Sequence, residues 1–325
     1  MADARGVFGL RISYRKKILN QWVPLNDVWI SPSPGGFNPN TGYFGGGYVS
    51  GSRSTMDKVT YSTDTRTTVP GAALSAARSD LAATGNSTAG YFGGGVPGPR
   101  STMDKVTYSS DTTAEVPGAA LSAARNYLAA TGNSTTGYFG GGNPGPRSTM
   151  DKVTYSSDTT AAVPGAFLSA ARYGLAATGN STTGYFGGGY LTASGSFSTM
   201  DKLTYSSDTT AAVPGAVLSV ARYGLAATGN STAGYFGGGF PGTRSTMDKV
   251  TYSSDTTAAV PGAFLSVARY GLAASSAVAN ALPFFNPAPA DPPTRFSDGA
   301  GPSPEAQPPA ATPTPQTYNG SPINV

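Results

Sequence analysis

The chain has 325 residues, 12% of them charged and 38% apolar, with 44 Gly, 26 Pro and a formal net charge of +4. It contains no Cys and no His, which excludes disulfides, thiolate nucleophiles, Cys- or His-ligated zinc and imidazole acid–base catalysis. No apolar run reaches the ~18 residues of a membrane-spanning helix, and so much Gly and Pro disfavours a helical protein.

Residues 1–41 differ in pattern from the rest of the chain. Phe8, Leu10, Ile12 and Tyr14 alternate with Val7, Gly9, Arg11 and Ser13, a strand pattern, and Trp22 and Trp29 are the only tryptophans in the chain. Arg5, Arg11, Arg15, Lys16 and Lys17 against Asp3 and Asp27 place +3 of the net charge here. The stretch lacks the apolar core of a secretory signal. A piece this short cannot support a core of its own. Phe8, Leu10, Ile12, Tyr14, Trp22 and Trp29 are therefore expected to anchor it to a partner protein.

From residue 42 to 276 one module is written five times. GYFGGG recurs with its Tyr at Tyr43, Tyr91, Tyr138, Tyr185 and Tyr235, at intervals of 48, 47, 47 and 50 residues. Each copy continues through STMDK, a Val or Leu, TYS, a Thr-rich stretch, VPGA, LS-x-AR and LAA. A fixed period near 50 residues signals stacked units that cannot bury an apolar face alone. In the copy carrying Tyr185, Gly184–Gly189 reads as a short buried strand. Thr199–Tyr205 reads as a second, with Met200, Lys202 and Thr204 on one face and Asp201, Leu203 and Tyr205 on the other. Ser206-Ser207-Asp208 is a turn. Thr209–Val213 is a weaker outer strand ended by Pro214-Gly215, and Tyr223–Thr228 is a fourth strand that turns at Gly229-Asn230 into the next GYFGGG.

Four short strands per unit make a propeller blade. The last Leu272–Ala274 lacks a GYFGGG partner and Tyr43–Gly46 lacks an LAA strand, so the two are expected to pair and close the ring. An open array would leave two bare edges. Within each unit one Lys and one Arg, such as Lys152 and Arg172, face two Asp, such as Asp151 and Asp158, as structural bridges. The D-x-D-x-D spacing of a calcium loop is absent, and no metal or cofactor is expected. The GGG runs are not phosphate loops, since no Lys-Ser/Thr or helix comes after them. GNST, at Asn86, Asn133, Asn180 and Asn230, fits a glycosylation acceptor but reads as a tight turn.

The copies differ in the loop between GGG and STMDK, at residues 48–53, 96–100, 143–147, 190–197 and 240–244, and again at Ala73, Ala120, Phe167, Val217 and Phe264. All five loops leave the same face of the ring. Tyr48, Arg53, Arg100, Arg147, Tyr190, Phe240 and Arg244 are the candidate ligand contacts, since function on repeat scaffolds sits on loops and these side chains suit sugar stacking or protein hot spots. Acids recur equally in every copy, as scaffold residues do; the unmatched ones are Asp80 and Glu115. Catalysis is therefore not expected, and the nearly neutral repeats argue against a nucleic-acid surface. Residues 277–325 hold 12 of the 26 Pro and are expected to be an extended tail.

The glycine group after an aromatic, the Tyr-x-x-Asp turn and the Arg of LS-x-AR resemble the kelch motif over roughly residues 42–275, with Thr-Thr-Ala-Ala-Val where kelch repeats carry a Trp. The resemblance implies an all-β, five-bladed kelch-like β-propeller with a short N-terminal β anchor and an extended Pro-rich C-terminal tail. The opening ADARGVFGLR, the later DVWISPSP and the repeat wording are similar to virion structural proteins of marine cyanobacterial phages. That likeness implies a virion location, multiple copies per particle, virion proteins as partners of residues 1–41, and attachment to a host cell-surface glycan or protein. The other function expected is architectural, a neck, tail or capsid decoration subunit lacing its neighbours together.

Overall fold

The computed structural model describes residues 41–274 together with two short strands near the C-terminus, Thr317–Tyr318 and Ser321–Pro322. These last two pair as a small antiparallel hairpin within a separate unit, Phe285–Val325. The expected anchor residues Phe8, Leu10, Ile12, Tyr14, Trp22 and Trp29, and most of the Pro-rich tail, lie outside the described residues.

The repeats form five blades arranged as a β-propeller. Blade 1 holds β1 (Thr41–Gly45), β2 (Met56–Thr60) and β3 (Thr65–Thr68). Blade 2 holds β4 (Ala82–Gly85), β5 (Ala89–Gly93), β6 (Met103–Thr107) and β7 (Thr112–Glu115). Blade 3 holds β8 (Ala129–Gly132), β9 (Thr136–Gly140), β10 (Met150–Thr154) and β11 (Thr159–Ala162). Blade 4 holds β12 (Ala176–Gly179), β13 (Thr183–Gly187), β16 (Met200–Thr204) and β17 (Thr209–Ala212), with a hairpin of β14 (Tyr190–Leu191) and β15 (Gly195–Ser196) in its loop. Blade 5 holds β18 (Ala226–Gly229), β19 (Ala233–Gly237), β20 (Met247–Thr251) and β21 (Thr256–Ala259). Every strand pairs antiparallel with its sequence neighbour in the blade, and the inner strands β4, β8, β12 and β18 lie side by side.

The fourth strand starts later than its apolar pattern suggests, at Ala226 rather than Tyr223, because Gly224 adopts a left-handed φ of +61°. The GNST turn is held by Asn180, whose side-chain oxygen accepts the Thr182 and Thr183 backbone N–H groups, both at 2.9 Å. Both faces of an inner blade are covered by neighbours, so Met200 on the lysine face is as buried as Leu203 on the other.

One joint is built four times between successive blades. Between blades 4 and 5 the Tyr185 ring stacks on Tyr252 at 5.0 Å, and its hydroxyl donates to Asp255. Lys202 Nζ donates to both oxygens of Asp255 at 2.8 and 3.0 Å and lies over the Tyr185 ring. Phe236 fills the space beside Gly187, where a Cβ would stand 2.9 Å from the ring. Any larger residue there would push the blades apart. The same set recurs as Tyr43–Asp111–Lys58, Tyr91–Asp158–Lys105 and Tyr138–Asp208–Lys152.

Beneath each of these blades the Arg of LS-x-AR is fully buried against a fully buried Asp: Arg78–Asp104, Arg125–Asp151, Arg172–Asp201 and Arg222–Asp248. Thus Lys152, Arg172, Asp151 and Asp158 are structural bridges, but not to one another. Arg172 meets Asp201 of the following blade, Lys152 meets Asp208, and Asp158 is held by Lys105 of the preceding blade.

Among the described residues the two ends of the array line one cavity without pairing as strands. Blade 1 is three-stranded, in the order β1-β2-β3, and Leu272–Ala274 forms no strand with Tyr43–Gly46. This corrects the expected pairing. The end of the array is held on blade 5, with Gly271 N–H on Gly224 O at 2.7 Å and Leu272 packed over Gly238.

Replacing Asp201 by Ala leaves the Arg172 guanidinium buried without its carboxylate and is expected to cost about 3–5 kcal/mol in urea denaturation. The joints also predict a pH window. Burial raises the Asp111, Asp158, Asp208 and Asp255 carboxyl groups, but the hydrogen bonds from Lys and Tyr outweigh it and hold all four below their ordinary 3.8. Their contribution is complete above pH 4 and is lost as pH falls through the lowered values. Burial, then the bond to Asp, raises the Tyr43, Tyr91, Tyr138 and Tyr185 hydroxyls above 10.0, and burial pushes Tyr252 up to about 12. That contribution is complete below pH 10 and is lost on further alkalinisation. Denaturation midpoints are expected to be flat between these limits and to fall on either side.

Candidate functional site

The variable loops owe their path to the glycines. In GGG the second and third residues turn left-handed, as Gly188 (φ +71°) and Gly189 (φ +110°) do, and a Cβ on Gly188 would stand 2.6 Å from the Arg222 carbonyl. The chain thereby leaves the blade sharply, and its first loop residue bridges to the residue just after LS-x-AR. Tyr190 and Tyr173 exchange backbone hydrogen bonds at 2.8 and 3.1 Å, and Phe240 and Tyr223 do so at 2.8 and 2.9 Å. Val96 faces Ser79 and Asn143 faces Asn126 in the same way.

The next residue in each connection is left-handed too: Asp80, Tyr127, Gly174, Gly224 and Gly271. Each N–H from Tyr127 onward bonds to the carbonyl of its predecessor, at 2.7–2.9 Å, and these bonds tie successive connections together. The same five residues line a cavity of about 700 Å³ together with the Leu-Ala-Ala segments of the inner strands.

Along this rim six aromatic rings succeed one another: Tyr127, Tyr173, Tyr190, Tyr223, Phe240 and Tyr270, with successive centroids 6.1, 5.6, 4.9, 5.4 and 5.8 Å apart. The rings meet edge-on or tilted, and Tyr127, Phe240 and Tyr270 are exposed. Burial, then Asp80, raises the Tyr127 hydroxyl, and burial, then Tyr190, raises that of Tyr223. The arc thus offers apolar ring surface together with tyrosine hydroxyl groups. The paired aromatic positions belong to blades 4 and 5, with Tyr127 of blade 3 extending the arc, because the corresponding pairs are Ser79 and Val96 in blade 2, and Asn126 and Asn143 in blade 3.

Of the residues picked from the sequence, Tyr190 and Phe240 fall in the arc. Tyr48 is 71% exposed, bridges to Ser52, and lines the same cavity outside the arc. Arg53 donates to its own loop at Val49 O, at 3.0 Å. Arg100, Arg147 and Arg244 are half-buried, and their charge bears on the buried Arg78, Arg125 and Arg222. In blade 4 the equivalent residue is Phe197, whose ring lies under Arg172 at 5.6 Å. Sequence reasoning missed Tyr127, Tyr173, Tyr223 and Tyr270. A signal existed: the residue after LS-x-AR changes character together with the first loop residue, as Ser79 with Val96, Asn126 with Asn143, Tyr173 with Tyr190, and Tyr223 with Phe240.

Among the described residues no three acidic side chains gather into a metal-binding group. No protein-family model matches the chain, and no curated protein matches it. What is established is the class, a five-bladed β-propeller.

Arg147→Phe is expected to leave stability unchanged or raise it by about 0.5–1 kcal/mol in urea denaturation. The change removes a like charge beside Arg125 and supplies the ring that Phe197 gives Arg172.

Proposed function

We propose that the chain is a non-enzymatic phage virion structural protein, anchored to the particle by residues 1–41 and displaying its propeller for host-surface attachment in a tail-fibre or adsorption apparatus. The observation that carries the attachment reading is the aromatic arc, a continuous strip of ring surface on one rim of an otherwise uniform scaffold. Such a strip suits the apolar face of a sugar ring or an aromatic-rich protein contact. Support for the virion comes from the wording of the opening segment and of the repeats, which are similar to structural proteins of marine cyanobacterial phages, and from the kelch-like layout of the blade. Many copies on one particle would turn weak single contacts into useful avidity.

The non-enzymatic reading is supported by how the charged groups are employed. The repeated Asp, Lys and Arg residues of the four joints are paired with each other, as scaffold residues are. A second reading, an architectural neck, tail or capsid decoration subunit, is favoured by one observation: among the described residues the two ends of the array do not pair as strands.

A glycan array probed with the full chain tests attachment. Tyr223→Ala and Tyr190→Ala are each expected to weaken binding at least tenfold, with denaturation midpoints near that of the parent. Absence of binding to any glycan and to host cells would remove the attachment reading and leave the architectural one.

A further inference from the structure

We propose that Asp80 and Tyr127 form a subsite for a protonated amine at the mouth of the cavity, so that the glycan held by the aromatic arc is one carrying free amino sugars. The proposal rests on the attachment reading and names the ligand class of that same rim. Five connections reach the cavity, and the two residues after LS-x-AR are Ser79-Asp80, Asn126-Tyr127, Tyr173-Gly174, Tyr223-Gly224 and Tyr270-Gly271. In the last three a ring comes first and a glycine follows at the mouth. In the first two a polar residue comes first, and the mouth position carries a side chain instead.

The backbone at this position suits glycine. Gly174, Gly224 and Gly271 have φ of +65°, +61° and +65°, and Asp80 and Tyr127 adopt the same turn at +55° and +53°. Asp enters the left-handed region readily, whereas a bulky ring there is an outlier. Residues in such conformations gather at ligand clamps. The Tyr127 N–H bonds to the Asp80 carbonyl at 2.9 Å, which sets the two residues on adjacent turns. The Tyr127 ring is 45% exposed, and the charge of Asp80 bears on its hydroxyl. Carboxylate and phenol are thus neighbours at the mouth. The three glycines leave the space beside them open: a Cβ on Gly271 would meet nothing within 4 Å.

The charge at the mouth is negative. Among the described residues lining the cavity the charged ones are Asp57 and Asp80. Asp57 already receives Arg66 at 2.7 Å and the Thr68 hydroxyl at 2.9 Å. Asp80 receives the Ser79 hydroxyl at 3.2 Å, and no cation among the described residues bonds to it. Apolar walls of Leu and Ala focus the field of such a carboxylate on whatever enters. An ammonium group meets both that charge and the Tyr127 ring. The ring of Tyr173, 6.1 Å from Tyr127, can take the apolar face of the sugar bearing the amine. A lysine side chain would satisfy Asp80 as well, but a glycan chain also covers the succession of rings beyond it.

Calorimetric titration of the full-length chain with oligosaccharides of equal length and linkage tests the subsite. The probes are a chitosan oligomer at a pH where its amines are protonated, its N-acetylated form and a cellulose oligomer. The chitosan oligomer is expected to bind about tenfold tighter than the other two, a preference that added salt narrows. Asp80→Asn keeps a residue suited to the left-handed turn and is expected to remove the preference. Glu115→Gln, the same loss of charge at an acid outside the cavity lining, is expected to retain it. Tyr127→Gly is expected to weaken chitosan binding with a denaturation midpoint no lower than the parent's. A lowered midpoint with unchanged binding would make that ring structural and overturn the subsite. Equal binding of the three oligomers, or a preference that survives Asp80→Asn, would overturn it and leave the attachment reading standing. Binding of none of them would overturn it too, with attachment then decided by the glycan array and host cells. Binding of a lysine-bearing peptide in place of the oligomers, lost in Asp80→Asn, would give the subsite to a protein amine and overturn the glycan class.

Discussion

The structure depends on a contact between neighbouring blades in which a tyrosine hydroxyl and a lysine ammonium share one aspartate. Around it the Tyr–Tyr stack and the Gly–Phe fit bury apolar surface, and the buried Arg–Asp pair ties the connecting segment to the next blade. A buried ion pair is weak as a source of stability, because desolvation offsets most of its attraction. Its value here is positional. The guanidinium also donates to the Phe186 carbonyl and to Thr199 in blade 4, which fixes where each connection meets its blade. Non-polar side chains of similar volume would not impose that alignment.

This joint explains why the copies stay so alike and where they are free to differ. Every residue in it meets partners in an adjacent copy, so a change in one position disturbs two blades. The loops after GGG are freer, since they leave the blade at two left-handed glycines and come back to the joint mainly at their last residue, as Phe197 does beneath Arg172. The loops make an uneven mouth: the rings of Tyr190 and Phe240 join the arc over blades 4 and 5, Tyr48 stands apart over blade 1, and blades 2 and 3 begin their loops with Val96 and Asn143. The fold thus separates a repeated interior, which holds the scaffold, from one rim on which recognition can be written.

The ends of the array obey the same rule. A repeat stack has no natural terminus, and each internal face is satisfied only by a neighbour of the same kind. Five units with four joints bring the two ends to one cavity. The outer strand of blade 1 differs from that of blade 2, with an exposed Arg66 paired to Asp57 where Thr113 donates to the Ala72 carbonyl.

Much of this was legible in the residues themselves. A period near 50, the alternation in Met200–Tyr205 and the turn at Gly229-Asn230 determine the blade, because strand pleating and turn geometry are local properties. The structural role of the repeated Lys, Arg and Asp was legible too, since equal residues in every copy serve the scaffold. Which Asp each cation meets was not, because the partners lie 26 to 56 residues apart and belong to different blades. The aromatic arc is likewise a product of tertiary structure. Tyr190 is noticeable in its loop, but Tyr173 and Tyr223 look like ordinary repeat residues until blade packing sets their rings 5.6 and 4.9 Å from that of Tyr190. Whether the two ends pair as strands was beyond the pattern for a related reason. Complementary ends show that a joint is possible, whereas the rotation accumulated over four packed interfaces decides whether one chain's ends can reach each other.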